Sequence, residues 1–240
     1  RLVGSEMCIR DRRVEKMLEK YGKKIIGWDE ILEGGLSENA TVMSWRGIDG
    51  GIEAAKQGHD VIMTPGSGGL YLDHYQGDSK IEPITIPSSP VYLAKTYSFD
   101  PVPDVIRKAG LDKHILGVQC NNWSEYMYSN AKMEYMMYPR ALALSEVAWS
   151  PLSRKNFTDF CKRVDANLVR LDERCIKYHL PLPEQPYGSC DKVLITKDTT
   201  VTFTTSRPMK MVYTLDGTKP TPESLVYTAP IPVNHDCIIN

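Results

Sequence analysis

The sequence predicts an α/β protein built on a parallel sheet, followed by a small all-β module. Three observations carry this prediction. Short apolar runs alternate with helical stretches over the first three quarters of the chain. Three of those runs lead into a tryptophan, although the chain has only four. Past a proline-rich stretch at residues 181–189 the helical pattern stops, and β-branched segments separated by Asp, Gly and Pro take over.

The elements follow in order. Val14, Met17, Leu18 and Tyr21 fall at i, i+3, i+4 and i+7, one helix stripe that Gly22 is placed to end. Residues 25–28 read as a short buried strand and residues 40–45 as a second. Residues 50–57 form a short helix closed by Gly58. A third strand at 60–64 is stopped by Pro65 and the glycines that follow, and a long polar loop comes next. Residues 92–99 and 105–109 are expected to be short helices, and 114–120 a fourth strand. Residues 131–149 and 155–179 read as helices, the first kinked at Pro139. Trp149, at a helix end, is expected to pack. In the last part, strands are expected at 193–196, 199–205, 211–215 and 224–227.

The 240 residues sit just under the roughly 250 of a complete eight-fold barrel. Four strands are half of what such a barrel needs. The composition is 42% hydrophobic and 25% charged, with net charge -1, which is ordinary for a globular protein. It argues against a strongly basic nucleic-acid binder and against a disordered chain. No apolar run approaches the roughly 18 residues needed to span a membrane, and the first residues lack a signal-peptide core. Cysteines 8, 120, 161, 175, 190 and 237 are scattered and read as buried or free thiols rather than a disulfide framework. The five histidines are equally dispersed, so neither a metal nor another cofactor is expected.

In a parallel β/α architecture, reactive groups collect at the carboxyl ends of the strands. The first strand delivers Trp28, Asp29 and Glu30, and the second Trp45 and Arg46. The third leads through glycines to Tyr71, Asp73 and His74, and the fourth to Asn121, Asn122, Trp123 and Glu125. Indole faces pack on the C–H face of a pyranose, while carboxylates and amides bond its hydroxyls. Together they suit a sugar pocket, although any one tryptophan alone fits a core role as well.

The stretches K-K-I-I-G-W-D-E-I-L, T-V-M-S-W-R-G, G-L-Y-L-D and I-L-G-V-Q-C-N-N-W-S-E resemble, in order and spacing, the second half of the catalytic barrel of family 20 glycoside hydrolases, the β-N-acetylhexosaminidases. Y-P-R-A-L-A-L-S-E-V-A-W-S is similar to the helix after that barrel's last strand. Y-T-L-D-G-T-K-P-T is similar to the β-module that often follows. The resemblance implies the second half of a TIM (β/α)8 barrel and then a truncated β-sandwich-like module. It divides the chain into a non-native or artefactual leader at 1–12, the half-barrel at 13–180, a linker at 181–189 and the module at 190–240.

It also implies hydrolysis of terminal β-linked GlcNAc or GalNAc by substrate-assisted retaining catalysis, in which the substrate's own acetamido oxygen is the nucleophile. Tyr71 matches the tyrosine that binds that oxygen. Asp73 and Glu125 match carboxylates that grip sugar hydroxyls, and Trp28, Trp45 and Trp123 match the aromatic walls. Arg46 and Asn122 lie beside these positions with no direct role assigned. The family's general acid and orienting Asp form an adjacent pair in a His-x-Gly-Gly-Asp-Glu type of motif, which this sequence lacks. Asp29-Glu30 is adjacent too, but it follows a tryptophan and has no preceding glycines. The chain is therefore expected to be a fragment, inactive by itself. Its partner is a glycan with terminal N-acetylhexosamine, and an exported location is favoured by the resemblance alone. Two alternatives remain: an ordinary two-carboxylate glycosidase using Asp73 and Glu125, or a non-catalytic sugar-binding protein.

Overall fold

The computed structural model describes residues 3–180, 194–205 and 209–240. The chain divides into two compact units, Arg1–His179 and Leu180–Asn240. The linker expected at 181–189 lies outside the described residues.

The first unit opens with α1 (Val3–Glu19), one continuous helix that runs through the residues set apart as a leader. Four strands follow: β1 (Ile26–Trp28), β2 (Thr41–Ser44), β3 (Val61–Met63) and β4 (Ile115–Val118). They form one sheet in the order β1-β2-β3-β4, every pair parallel. Trp28 pairs with Met43, Ser44 with Met63, and Met63 with Val118, so the strands end nearly level. One extra residue in β4, between Ile115 and Gly117, shifts the register opposite Val61 and Ile62.

Helix α2 (Asp49–Lys56) joins β2 to β3. The fully buried Ser44 hydroxyl donates to Gly47 O at 2.6 Å and accepts from Gly51 N at 2.8 Å, which ties the end of β2 to the start of the helix. Gly58, at φ +87°, closes it in a left-handed conformation. Between β3 and β4 come α3 (Leu93–Ser98) and α4 (Asp104–Lys108). Val42, Ala54, Ala55, Val61, Met63 and Ile106 form a core between the sheet and α2 and α4.

After β4 the chain makes α5 (Asn130–Met137), α6 (Arg140–Trp149) and α7 (Phe157–Glu173). Ser129 caps α5 by accepting from Lys132 N at 3.1 Å, and Asn156 caps α7 by accepting from Asp159 N at 3.0 Å. Along α7, Phe160, Val164, Leu168 and Leu171 repeat at helical spacing and are buried against Tyr97 of α3 and Ala143 of α6. Tyr97 and Phe160 stack at 4.5 Å. Each such side chain contributes about 1.5–3 kcal/mol on burial, so this stripe is what holds α7 in place.

The structure corrects three expectations here. The helix expected over 131–149 is two helices, because Pro139 has no N–H to donate. The carbonyl that Pro139 leaves without a donor, Tyr135 O, accepts from Gln76 Nε2 at 2.6 Å, while at the break Tyr138 O accepts from His179 N at 3.0 Å and Met136 O from Arg140 Nη2 at 2.6 Å. The last helix ends at Glu173, not near 179, and Cys175 takes φ +56° as the chain turns back. Trp149 does not pack: 89% of it is exposed. The α1 stripe is also largely uncovered at Val14, Met17 and Tyr21.

The second unit contains β5 (Thr199–Val201), β6 (Val212–Tyr213), β7 (Leu225–Val226) and β8 (Ile231–Val233). β5 pairs antiparallel with β8, and β6 with β7. Residues 194–196 form no strand, while β8, which contains Pro232, was not expected. Tyr227 packs edge-on against Phe203 and Tyr213, and its hydroxyl accepts from Phe203 N at 3.0 Å. No described helix is long and apolar enough to cross a membrane.

Candidate functional site

At the end of β1, Asp29 turns inward and is 1% exposed. Its Oδ2 accepts from the backbone of Trp45 (3.2 Å) and Arg46 (3.3 Å), and its Oδ1 from Arg46 Nε at 2.6 Å. Glu30 accepts from the Trp45 indole N–H at 3.0 Å. The adjacent carboxylates thus hold the turn after β2. Hydrogen bonds to Glu33 and then Asp29 raise the Arg46 pKa, and Arg46 is spent on those two partners.

After β3 the chain turns through Gly66–Gly68. Gly69 follows at φ +79°, where a Cβ would meet the backbone of Lys95 and Thr96 at 3.3 Å. Only glycine allows α3 to come this close, and Thr96 Oγ1 donates to Gly69 O at 2.7 Å. The chain then rejoins the sheet beyond β4 through a parallel bridge between Tyr71 and Asn121. Leu72 N donates to Asn121 O at 2.7 Å, and Asn121 N to Leu70 O at 2.9 Å.

These turns bring four rings into one run. Trp28 and Trp123 lie 5.7 Å apart at 46°, Trp123 and Tyr71 6.3 Å at 78°, and Tyr71 and His74 5.9 Å at 76°. A sugar sandwiched between two rings needs them roughly 7–8 Å apart, two contact distances. Trp28 and Trp123 instead touch each other, so together they offer a surface for a sugar to rest on. Trp123 is 39% exposed. Trp45 stands outside this run, its indole N–H held by Glu30.

Several buried polar atoms in the segments that carry the rings have no protein partner: Thr64 Oγ1, Tyr71 Oη, Asp73 Oδ1, Asn121 Nδ2, and both amide atoms of Asn122. Buried polar groups are nearly always bonded, so these atoms call for water or a bound ligand to complete their hydrogen bonds. Asp73 is 3% exposed, and burial, with a smaller push from Glu125, raises its pKa against the pull of His74 and Arg140. Burial also raises the Tyr71 pKa, with Asp73 and Asp29 adding to it, so the phenol keeps its proton. Asn121 and Trp123 oppose that shift without giving Oη a bond of normal geometry. Burial lowers the His74 pKa. Glu125 is exposed on the turn after Trp123.

Among the described residues no group of three or more His, Cys, Asp or Glu could hold a metal. Cys120 is a half-buried thiol whose pKa burial pushes up to about 12, which leaves it protonated.

Residues 9–152 match the Glycosyl hydrolase family 20, catalytic domain, and residues 194–240 the Chitobiase/beta-hexosaminidase C-terminal domain. The chain belongs to glycoside hydrolase family 20. A beta-hexosaminidase of Porphyromonas gingivalis is 56% identical over 222 residues, 92% of this chain and 28% of the relative. One of Vibrio furnissii is 36% identical over 56% of this chain and 22% of its own length. The chain thus spans less than a third of either. Among solved structures, a GH20 exo-β-N-acetylglucosaminidase of Vibrio harveyi in complex with N-acetylglucosamine superposes with a TM-score of 0.66 at 30% identity, covering 70% of this chain and 26% of that one. The four-stranded parallel sheet is accordingly part of the family 20 (β/α)8 barrel, and a short β segment follows it.

Of the residues singled out in the sequence, Trp28, Trp123 and Tyr71 come together, and the charge of Asp73 acts on Tyr71. Trp45 is tied to Glu30, and Glu125 reaches Asp73 through charge. Sequence reasoning gave no role to Asn122, whose amide is buried and unpartnered. It passed over Arg140 and Thr85 altogether.

Proposed function

We propose that a protein carrying this chain hydrolyses terminal β-linked N-acetylhexosamine, GlcNAc or GalNAc, with retention of configuration, the substrate's acetamido group acting as nucleophile. The observation that carries this reading is the set of buried, unpartnered polar atoms in the segments that bear the rings of Trp28, Trp123 and Tyr71. The acetamido oxygen attacks the anomeric carbon as the bond from that carbon to the leaving oxygen breaks. The leaving oxygen takes a proton from a general acid. Water then adds to the anomeric carbon, gives one proton back to the group that served as the acid, and displaces the acetamido oxygen, which opens the oxazoline and restores the acetamide. The acid and the Asp that orients the acetamido N–H belong to a motif absent from this sequence. Here Tyr71 donates its hydroxyl hydrogen to the acetamido oxygen and holds it in line. Asp73 and Glu125 accept from sugar hydroxyls. Trp28 and Trp123 carry the apolar face, and Trp45, fixed by Glu30, forms a further wall. The same reading assigns residues 13–180 to the barrel, 181–189 to a linker and 190–240 to the β-module. A thiazoline analogue of the intermediate should inhibit a full-length protein carrying this chain strongly and competitively. Absence of inhibition would rule out acetamido participation and leave the two-carboxylate chemistry.

A further inference from the structure

The segment that bears Tyr71 and Asp73 is not a strand. β3 ends at Met63, and only the Tyr71–Asn121 bridge continues the pairing beyond it. Its backbone is nevertheless gripped at successive atoms. Leu72 O accepts from Arg140 Nη2 at 2.6 Å, and Asp73 O accepts from Thr85 Oγ1 at 2.5 Å. Arg140 and Thr85 are both essentially inaccessible, at 0% and 1% exposure.

Arg140 uses its charge in an uncommon way. A buried guanidinium ordinarily pairs with a carboxylate. Among the described residues, no Asp or Glu oxygen lies within ion-pair distance of Arg140. It donates only to carbonyls: Leu72 O, Val91 O at 3.0 Å and Met136 O at 2.6 Å. One planar fork therefore joins the two ends of the loop running from Leu72 to Val91, and fastens both to the last turn of α5. Val91 N in turn donates to Tyr75 O at 2.7 Å. A lysine ammonium cannot reproduce that fork.

We propose that Arg140 and Thr85 are positioning residues: by fixing the Leu72 and Asp73 carbonyls they set where the Tyr71 hydroxyl and the Asp73 carboxylate meet the sugar. The proposal rests on the reading of the site given above. It explains why a segment outside the sheet can serve chemistry in which a shift of about 1 Å costs on the order of a hundredfold in rate.

The test compares Tyr71→Phe, Thr85→Val, Arg140→Lys and the Tyr71→Phe/Thr85→Val pair in a full-length protein carrying this chain. Turnover of a chromogenic GlcNAc glycoside is read per folded molecule. Thr85→Val should lower kcat by about tenfold to a hundredfold with KM within about threefold, and Arg140→Lys by at least as much. The double variant should lose less than the product of the two single losses, because one of the two groups being positioned, the hydroxyl, is already gone while the Asp73 carboxylate remains. A role in stability only would lower Tm and leave kcat per folded molecule intact. If Thr85→Val keeps wild-type kcat while Tyr71→Phe is crippled, the proposal is overturned, whether or not Arg140→Lys folds. If Tyr71→Phe is itself harmless, the reading of the site falls, and the positioning role with it.

Discussion

Replacing Tyr71 by Phe removes one oxygen and leaves the ring, so the ring contacts with Trp123 and His74 and the backbone bridge to Asn121 persist. Oη is buried, with Asn121 and Trp123 near it but no hydrogen bond of normal geometry. A buried hydroxyl without a well-formed hydrogen bond costs roughly 1–3 kcal/mol. Its proton is retained because burial raises its pKa. In the transition state the acetamido oxygen presents developing charge to that donor, in a place water does not reach. Losing one such donor costs about 2.7–4 kcal/mol, a drop in kcat of about 10²–10³. The two effects have opposite signs. Tyr71→Phe should cut kcat a hundredfold or more, yet leave stability unchanged or raised by up to about 1 kcal/mol. Turnover is measured on a chromogenic GlcNAc glycoside in a full-length protein. Stability is measured by urea unfolding of the 240-residue chain, followed through its tryptophans, all four of which lie in the first unit. A change in kcat below about threefold would refute the transition-state role, because a single donor of this kind is worth far more. A stability loss above about 1 kcal/mol would mean that the hydroxyl is a structural group after all.

Three further outcomes follow from the structure. Gly58 and Gly69 both have positive φ, but only Gly69 is crowded by neighbouring backbone. Gly58→Ala should therefore cost about 1–2 kcal/mol in urea unfolding and Gly69→Ala measurably more, and equal losses would refute the crowding. His74 has its pKa lowered by burial, so its contribution to stability is intact above the unfolded value near 6.5 and is lost as pH falls from there. Asp73, raised by burial, acts oppositely, its contribution being lost as pH rises through its folded pKa. His74→Gln should flatten the loss of stability below about pH 6.5, and an unchanged pH–stability curve would exclude the histidine as its source. Finally, the 240-residue chain alone should hydrolyse no chromogenic GlcNAc glycoside, because its sequence lacks the Asp-Glu proton-donor motif. Clear turnover by pure material would overturn this.

Much of the barrel portion was legible because its signals are local. Apolar runs marked all four strands, and of the three tryptophans expected at strand ends the structure brings Trp28 and Trp123 into contact. What failed depends on partners far along the chain. The helical pattern runs straight through Pro139. The break there is stabilised by Gln76, Arg140 and His179, which take the carbonyls around it. Burial of Trp149 depends on what stands opposite it, which a helix pattern does not encode. β8 was missed because Pro232 argues against a strand, but at the edge opposite Thr200 it leaves only one donor out of the ladder. In the site, nothing in the sequence tells that Glu30 claims the Trp45 indole. Arg140 and Thr85 were invisible for a deeper reason: their partners are main-chain carbonyls, which every residue has, so no complementary residue type betrays them.

The choice of carbonyls as partners for Arg140 also decides how the site responds to acid. Carbonyl oxygens do not titrate, and Arg140, although lowered by burial to about 10, stays charged at every pH below that. The fork that joins Leu72, Val91 and Met136 is therefore blind to proton concentration across the acidic and neutral range. Its neighbours are not. Burial raises the pKa of Asp73 and lowers that of His74, and Glu82, within the same loop, meets His179 at 3.2 Å. Acid sensitivity is thus confined to replaceable side chains mounted on a frame that ignores it. Substitutions at such positions could move the working pH of this half of the site without rebuilding the loop that carries it.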